Sequence, residues 1–167
     1  MAIILGIDPG SRFTGFGIIE SNGQHSRHIH SGVLKLGSAP FPERLGKIFA
    51  GLQTVILEYQ PVQMAIENVF VSKNPSSALK LGQARGAAIC AGVMNGLEVA
   101  EYTPREVKQA VVGKGAADKS QVQHMTKILL NLSGELQEDR ADALGVALCH
   151  AHTWAFQKKI QIAEQGK

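Results

Sequence analysis

Apolar positions open the chain as an unbroken block. Ile3-Ile4-Leu5-Gly6-Ile7 is hydrophobic on both faces, which predicts a central buried strand over residues 3–8. Pro9-Gly10-Ser11 turns the chain, and residues 13–20 predict the other arm of a hairpin. A third strand is expected at about Arg27–Leu36, between Asn22-Gly23 and Gly37-Ser38, completing an antiparallel meander. The period then changes. From Pro42 onward, Leu45, Ile48, Phe49, Leu52, Val55 and Ile56 recur at helical spacing, and Pro61 stops the run. A fourth strand over Val62–Glu67, a helix over Ser76–Asn95 and a short strand over Leu97–Tyr102 follow. Helices starting near Thr103-Pro104, over Asp118–Leu130 and over Glu138–Gln157 close the pattern. The order βββαβαβ with trailing helices predicts an α/β fold, a five-stranded mixed sheet flanked by helices on both faces. One domain is expected over residues 1–157, with a frayed tail over 158–167.

Acidic residues break this pattern where a buried sheet would deliver them. Asp8 ends the first apolar run and Glu67 ends Met64-Ala65-Ile66. Parallel pairing of those strands would bring the two carboxylates about one strand spacing, ~4.8 Å, apart. Asp139 and Asp142 share one face at the start of the last helix. Buried charge is costly unless neutralised, and no basic residue adjoins the two strand positions. A cation is the expected neutraliser, and oxygen-only ligands fit Mg²⁺ or Mn²⁺ rather than zinc. The set reads as a two-metal phosphodiesterase. Singly, each acid is better read as a cap, a turn residue or a salt-bridge partner; together they favour metal.

Charge adds direction to this reading. The net charge is only +3, but residues 70–130 carry eight Lys and Arg against four acids. That excess fits a phosphate-tracking face as well as it fits a solvated surface. No apolar stretch approaches the roughly 20 residues of a membrane helix. The chain enters its first strand without a secretory leader, and Cys90 and Cys149 form no disulfide framework, so a cytoplasmic location is expected. Gly113-Lys114-Gly115 lacks the ending of a Walker loop and reads as a flexible basic loop. His150 and His152 share no helical face, and His25, His28, His30 and His124 form no recognisable constellation.

Several stretches together resemble a known family. They are Leu5-Gly6-Ile7-Asp8-Pro9-Gly10-Ser11 with Thr14-Gly15, Ile66-Glu67, Ala78 to Gly86, Lys119-Ser120-Gln121-Val122, and Asp139-Arg140-Ala141-Asp142-Ala143-Leu144. In this order, over residues 1–152, they resemble the RuvC Holliday junction resolvases. The resemblance implies an RNase H-like fold, a homodimer, and Mg²⁺-dependent symmetric nicking of four-way junction DNA within a short T-rich sequence. It also implies work beside the RuvA–RuvB branch-migration motor. Asp8, Glu67, Asp139 and Asp142 fall on the family's catalytic acids, which would hold two Mg²⁺ per site, with Mn²⁺ as a substitute.

Lys108 and Lys119 match family positions that contact DNA phosphate. Phe70 either stacks on an unpaired base at the crossover or plugs the core beneath its loop. Lys73, Lys114 and Arg85 are weaker DNA-binding candidates, and a structural pairing is the alternative for Arg85. The small residues Ala84, Gly86, Ala87, Ala88, Ala91 and Gly92 on one helix suit either a dimer contact or packing on the chain's own sheet. Competing readings are a sugar-kinase or actin-like ATPase, a non-catalytic junction-binding module and a nuclease acting on RNA–DNA hybrids. The first needs a second domain, which 167 residues do not accommodate.

Overall fold

A computed structural model describes residues 1–69 and 74–165, with side chains up to residue 157. Three consecutive antiparallel strands come first: β1 (Ala2–Asp8), β2 (Phe13–Ser21) and β3 (Ser26–Lys35). Helix α1 (Phe41–Tyr59) leads to β4 (Gln63–Glu67), and α2 (Pro75–Met94) leads to β5 (Glu98–Tyr102). Then come α3 (Pro104–Val112), α4 (Lys119–Leu129) and α5 (Glu138–Gln165). The sheet order is β3-β2-β1-β4-β5, so β1 is central, as its two-sided hydrophobicity requires. β4 and β5 join in parallel, with Ile7 beside Ile66 and Glu67 beside Tyr102.

Side chains of β1 alternate between two cores. Ile4 joins Ile19, Ala65, Val107, Val122, Leu144 and Leu148 under α3, α4 and α5. Leu5 and Ile7 join Ile18, Met64, Ile66, Ile48, Leu52, Ala84 and Ala88 under α1 and α2. Burial of this kind contributes about 25 cal/mol per Å² of apolar surface, and it fixes the strand register, because a one-residue slip would exchange the two cores.

Three glycines decide how α5 lies on the sheet. A Cβ on Gly6 would stand 2.2 Å from the Ala143 carbonyl oxygen, and one on Gly15 would stand 2.1 Å from that of Asp139. A Cβ on Gly17 would press into Leu144 at 2.7 Å. The helix backbone therefore rests directly on β1 and β2, closer than any side chain would allow.

Some boundaries differ from expectation. α5 runs on to Gln165, past the expected end at Gln157. β3 carries a bulge opposite Ile18 and Ile19, which its sequence does not announce. On α2, Ala84, Ala88, Ala91 and Gly92 are buried against the chain's own sheet, whereas Leu79, Val93 and Met94 are exposed and a Cβ on Gly82 or Gly86 would meet open space. Four of the small residues thus take the packing role, while Gly86 faces open space.

Gly15→Ala should destabilise the protein by ~1–3 kcal/mol through overpacking. Gly46→Ala on exposed α1, where nothing lies within 4 Å, should stabilise it by ~0.5–1 kcal/mol. Urea unfolding of both variants checks this, and equal stabilities would contradict the close seat of α5.

Candidate active site

Asp8 and Glu67 leave the same end of the sheet on adjacent parallel strands. The turn after Asp8 is fixed by Thr14, which is fully buried. Its hydroxyl donates to the Gly10 carbonyl at 3.0 Å and accepts the Gly10 N–H at 3.3 Å. Gly15 pairs with Asp8 across β1 and β2, and the same Gly15 carries the backbone of Asp139 above it. The glycine seat therefore brings the first turn of α5, with Asp139 and Asp142, over the Asp8 end of β1.

Two capped helices supply positive charge. Thr103 and Glu106 form a capping box at the start of α3, and Asp118 and Gln121 form one at the start of α4. These caps place Lys108 and Lys119 around a cavity of about 190 Å³, lined also by Glu67, Pro104, Val107, Val122 and Asp142. Lys119 Nζ stands 2.9 Å from Asp142 Oδ2 and also pairs with Glu138. Glu138 was not among the residues expected to matter; its helical spacing of four from Asp142 was the available signal.

Burial pushes the Asp8 carboxyl up to about 8, and the charges of Asp142, Glu67 and Asp139 push it the same way. Burial and Asp142 likewise raise Glu67, against the pull of Lys119 and Lys108. Asp142 is raised by burial although Lys119 bonds to it. Burial lowers the Lys119 ammonium, but its bonds to Glu138 and Asp142 more than offset this, and the net shift is upward. The four acids thus share one electrostatic neighbourhood short of positive charge. Among the described residues no three His, Cys, Asp or Glu side chains form a ready metal cage. Lys119 supplies the local cation at Asp142. The donors are all carboxylate oxygens, a chemistry that fits a hard divalent ion.

The remaining candidates separate. Lys114 is exposed in the loop between α3 and α4. That loop is braced rather than loose: Gln109 Nε2 donates to the Gly113 carbonyl at 2.9 Å, and Gly115 N–H donates to Gln109 Oε1 at 3.0 Å. The Arg85 guanidinium is largely enclosed. Its Nε donates to the Glu67 carbonyl at 3.1 Å, and its Nη2 donates to Asn68 Oδ1 at 2.8 Å and pairs with Glu101. This is the structural pairing kept as its alternative, and it braces the strand end that carries Glu67. Phe70 and Lys73 lie outside the described residues.

The family model for crossover junction endodeoxyribonuclease RuvC matches residues 4–150. The chain belongs to the RuvC family. A RuvC from Marinobacter nauticus is 59% identical over 99% of this chain and 94% of its own length. One from Acinetobacter baylyi is 55% identical over 97% and 90%. Among solved structures, Thermus thermophilus RuvC in complex with Holliday junction substrate superposes with a TM-score of 0.88 at 33% identity, covering 94% of this chain and 97% of that one. The fold is accordingly the RNase H-like fold of RuvC, and the chain is an endonuclease of that family, whose members depend on divalent metal. Among the described residues, no helix is long and apolar enough to cross a membrane.

The raised Asp8 gives the chain a pH signature. The folded, metal-free protein keeps a proton on Asp8 up to about pH 8, whereas the unfolded chain releases it near the ordinary 3.8. Stability should therefore fall as pH rises through that window. Asp8→Asn removes the cost, so its melting temperature in EDTA should exceed wild type by several degrees at pH 8 and by less at pH 5. Calorimetry checks this, and an unchanged or lower value at pH 8 would contradict the assignment.

Proposed function

We propose that this chain resolves four-way DNA junctions by paired symmetric nicks, with two Mg²⁺ ions per active site held by Asp8, Glu67, Asp139 and Asp142. The observation that carries the reading is the gathering of these acids at one end of the sheet beside Lys108 and Lys119. When bound, the ions supply an activated water and stabilise the leaving 3′ oxygen, giving 5′-phosphate and 3′-hydroxyl ends. Mn²⁺ is the expected substitute.

Asp8 would be a ligand as the carboxylate, because it ends the central strand and feels all three other acids. Asp142 would hold the ion in place of Lys119, whose ammonium would then be available to a DNA phosphate. Lys108 provides a second phosphate contact, and exposed Lys114 a peripheral one. Arg85 contributes indirectly, by holding the Glu67 backbone. Phe70 would stack on a base at the opened crossover, and Lys73 would meet the backbone beside it.

A junction needs two opposed cuts, and one chain offers one acidic site, so a two-fold homodimer is the working form. The exposed stripe of α2 with Leu79, Gly82, Gly86 and Val93 suits a close contact with a second copy. The enzyme would work in the cytoplasm beside the RuvA–RuvB branch-migration motor, a setting consistent with its free cysteines.

One assay tests the reading. With Mg²⁺, a mobile four-way junction should be nicked in pairs, while linear duplex and an RNA–DNA hybrid stay intact. Preferential hybrid cleavage would favour a hybrid nuclease, and junction binding without cleavage would favour a non-catalytic module. Asp8→Asn should lower cleavage by ~100-fold or more while junction affinity stays near wild type.

Dimerisation has its own readout. Gly86→Glu, with nothing within 4 Å of its Cβ, should fold yet halve the mass in light scattering and turn paired cuts into single nicks. A dimeric Gly86→Glu variant that still cuts in pairs would exclude this face.

A further inference from the structure

The bulge in β3 re-aims a histidine. Gly17 pairs with Ser31, Ile18 with His30 and Ile19 with His28, so Ile29 is the extra residue. His28 consequently lies on the α5 face with Ser31, whereas His30 lies on the other face, stacked on Tyr59. Without the bulge, His28 would share the face of His30.

On the α5 face three polar side chains converge. His28 Nε2 stands 2.9 Å from Ser31 Oγ, and Arg140 donates Nε and Nη2 to the same oxygen at 3.2 and 3.0 Å. Hydrogen-bond balance assigns the Ser31 hydrogen to His28 Nε2, because the oxygen already accepts from Arg140. His28 Nδ1–H and the remaining guanidinium N–H groups stay available. Among the described residues no carboxylate forms an ion pair with Arg140. Burial, Arg140 and His30 all press the His28 ring toward its neutral form, and no acid offsets them. A guanidinium and an imidazole held together without a counter-ion form a donor set for an anion.

Placement says which anion. Ser31 pairs with Gly17, two residues along β2 from the Gly15 that faces Asp8. Two strand spacings, ~10 Å, separate β3 from β1. The cluster therefore flanks the acidic centre on the β3 side, while Lys108 and Lys119 flank it on the α3–α4 side. We propose that Arg140 and His28, joined through Ser31, form a backbone-phosphate subsite, which holds the DNA strand on the β3 flank of the active site. The subsite rests on the junction-cutting reading and names further contacts for that substrate.

Fluorescence anisotropy with a four-way junction in Ca²⁺, over about 50–200 mM salt, tests it. Arg140→Gln should weaken binding several-fold at low salt and flatten the slope of log affinity against log salt by ~0.9, the loss of one phosphate contact. His28→Ala should weaken binding with little change of slope, because it removes a neutral donor. An Arg140 that only staples α5 to β3 would lower the melting temperature and leave affinity and slope at wild-type values, which would overturn the subsite. Should Arg140→Gln fail to fold, His28→Ala decides, and wild-type affinity in that variant overturns the proposal. Wild type that does not bind the junction would instead remove the functional reading itself.

Discussion

α5 lies against β1 and β2 with no side chain between them. Gly6 and Gly15 touch helix carbonyls, and Gly17 receives Leu144. Everything at the acidic centre depends on this contact, because Asp139 and Asp142 are brought to Asp8 by the helix that rests there. A β-branched or even an alanine side chain at Gly15 would lift the start of α5 off the sheet. Asp139 and Asp142 would then move away from Asp8.

The same seat creates an electrostatic cost. Asp8 is pushed up to about 8 because burial and three neighbouring carboxylates act on it together. Lys119 offsets part of that cost by reaching Asp142 and Glu138, and Arg85 holds the Glu67 strand end without neutralising its carboxylate. The arrangement leaves the acids short of positive charge beside Lys108 and Lys119. Lys119 is the cation that Asp142 has in this structure, and the proposed metal would take its place there.

Much of this was legible in the residues. The two-sided apolar run of β1 marked it as central, and the ends of β1 and β4 marked Asp8 and Glu67 as neighbours. Asp139 and Asp142 shared a helical face by spacing alone. Other features depend on contacts between distant segments and leave no local trace. The bulge that carries His28 toward Arg140 arises from pairing with β2, not from any turn residue in β3. For Arg85 a structural pairing stood beside a DNA contact, and its partners appear only once the ends of β4 and β5 lie together. The division of small residues on α2 into buried Ala88 and open Gly86 follows from which stripe the sheet covers, a property of the packed helix.

Four carboxylates from three separated elements are proposed to form the divalent-metal site under α5. Anomalous diffraction from crystals soaked in Mn²⁺ addresses it directly. The expected result is anomalous density touching Asp8, with further oxygens from Glu67 and from Asp139 or Asp142, and with Lys119 withdrawn from Asp142. Density held elsewhere, or a site at saturating Mn²⁺ that still shows Lys119 on Asp142 and no ion against Asp8, would contradict it.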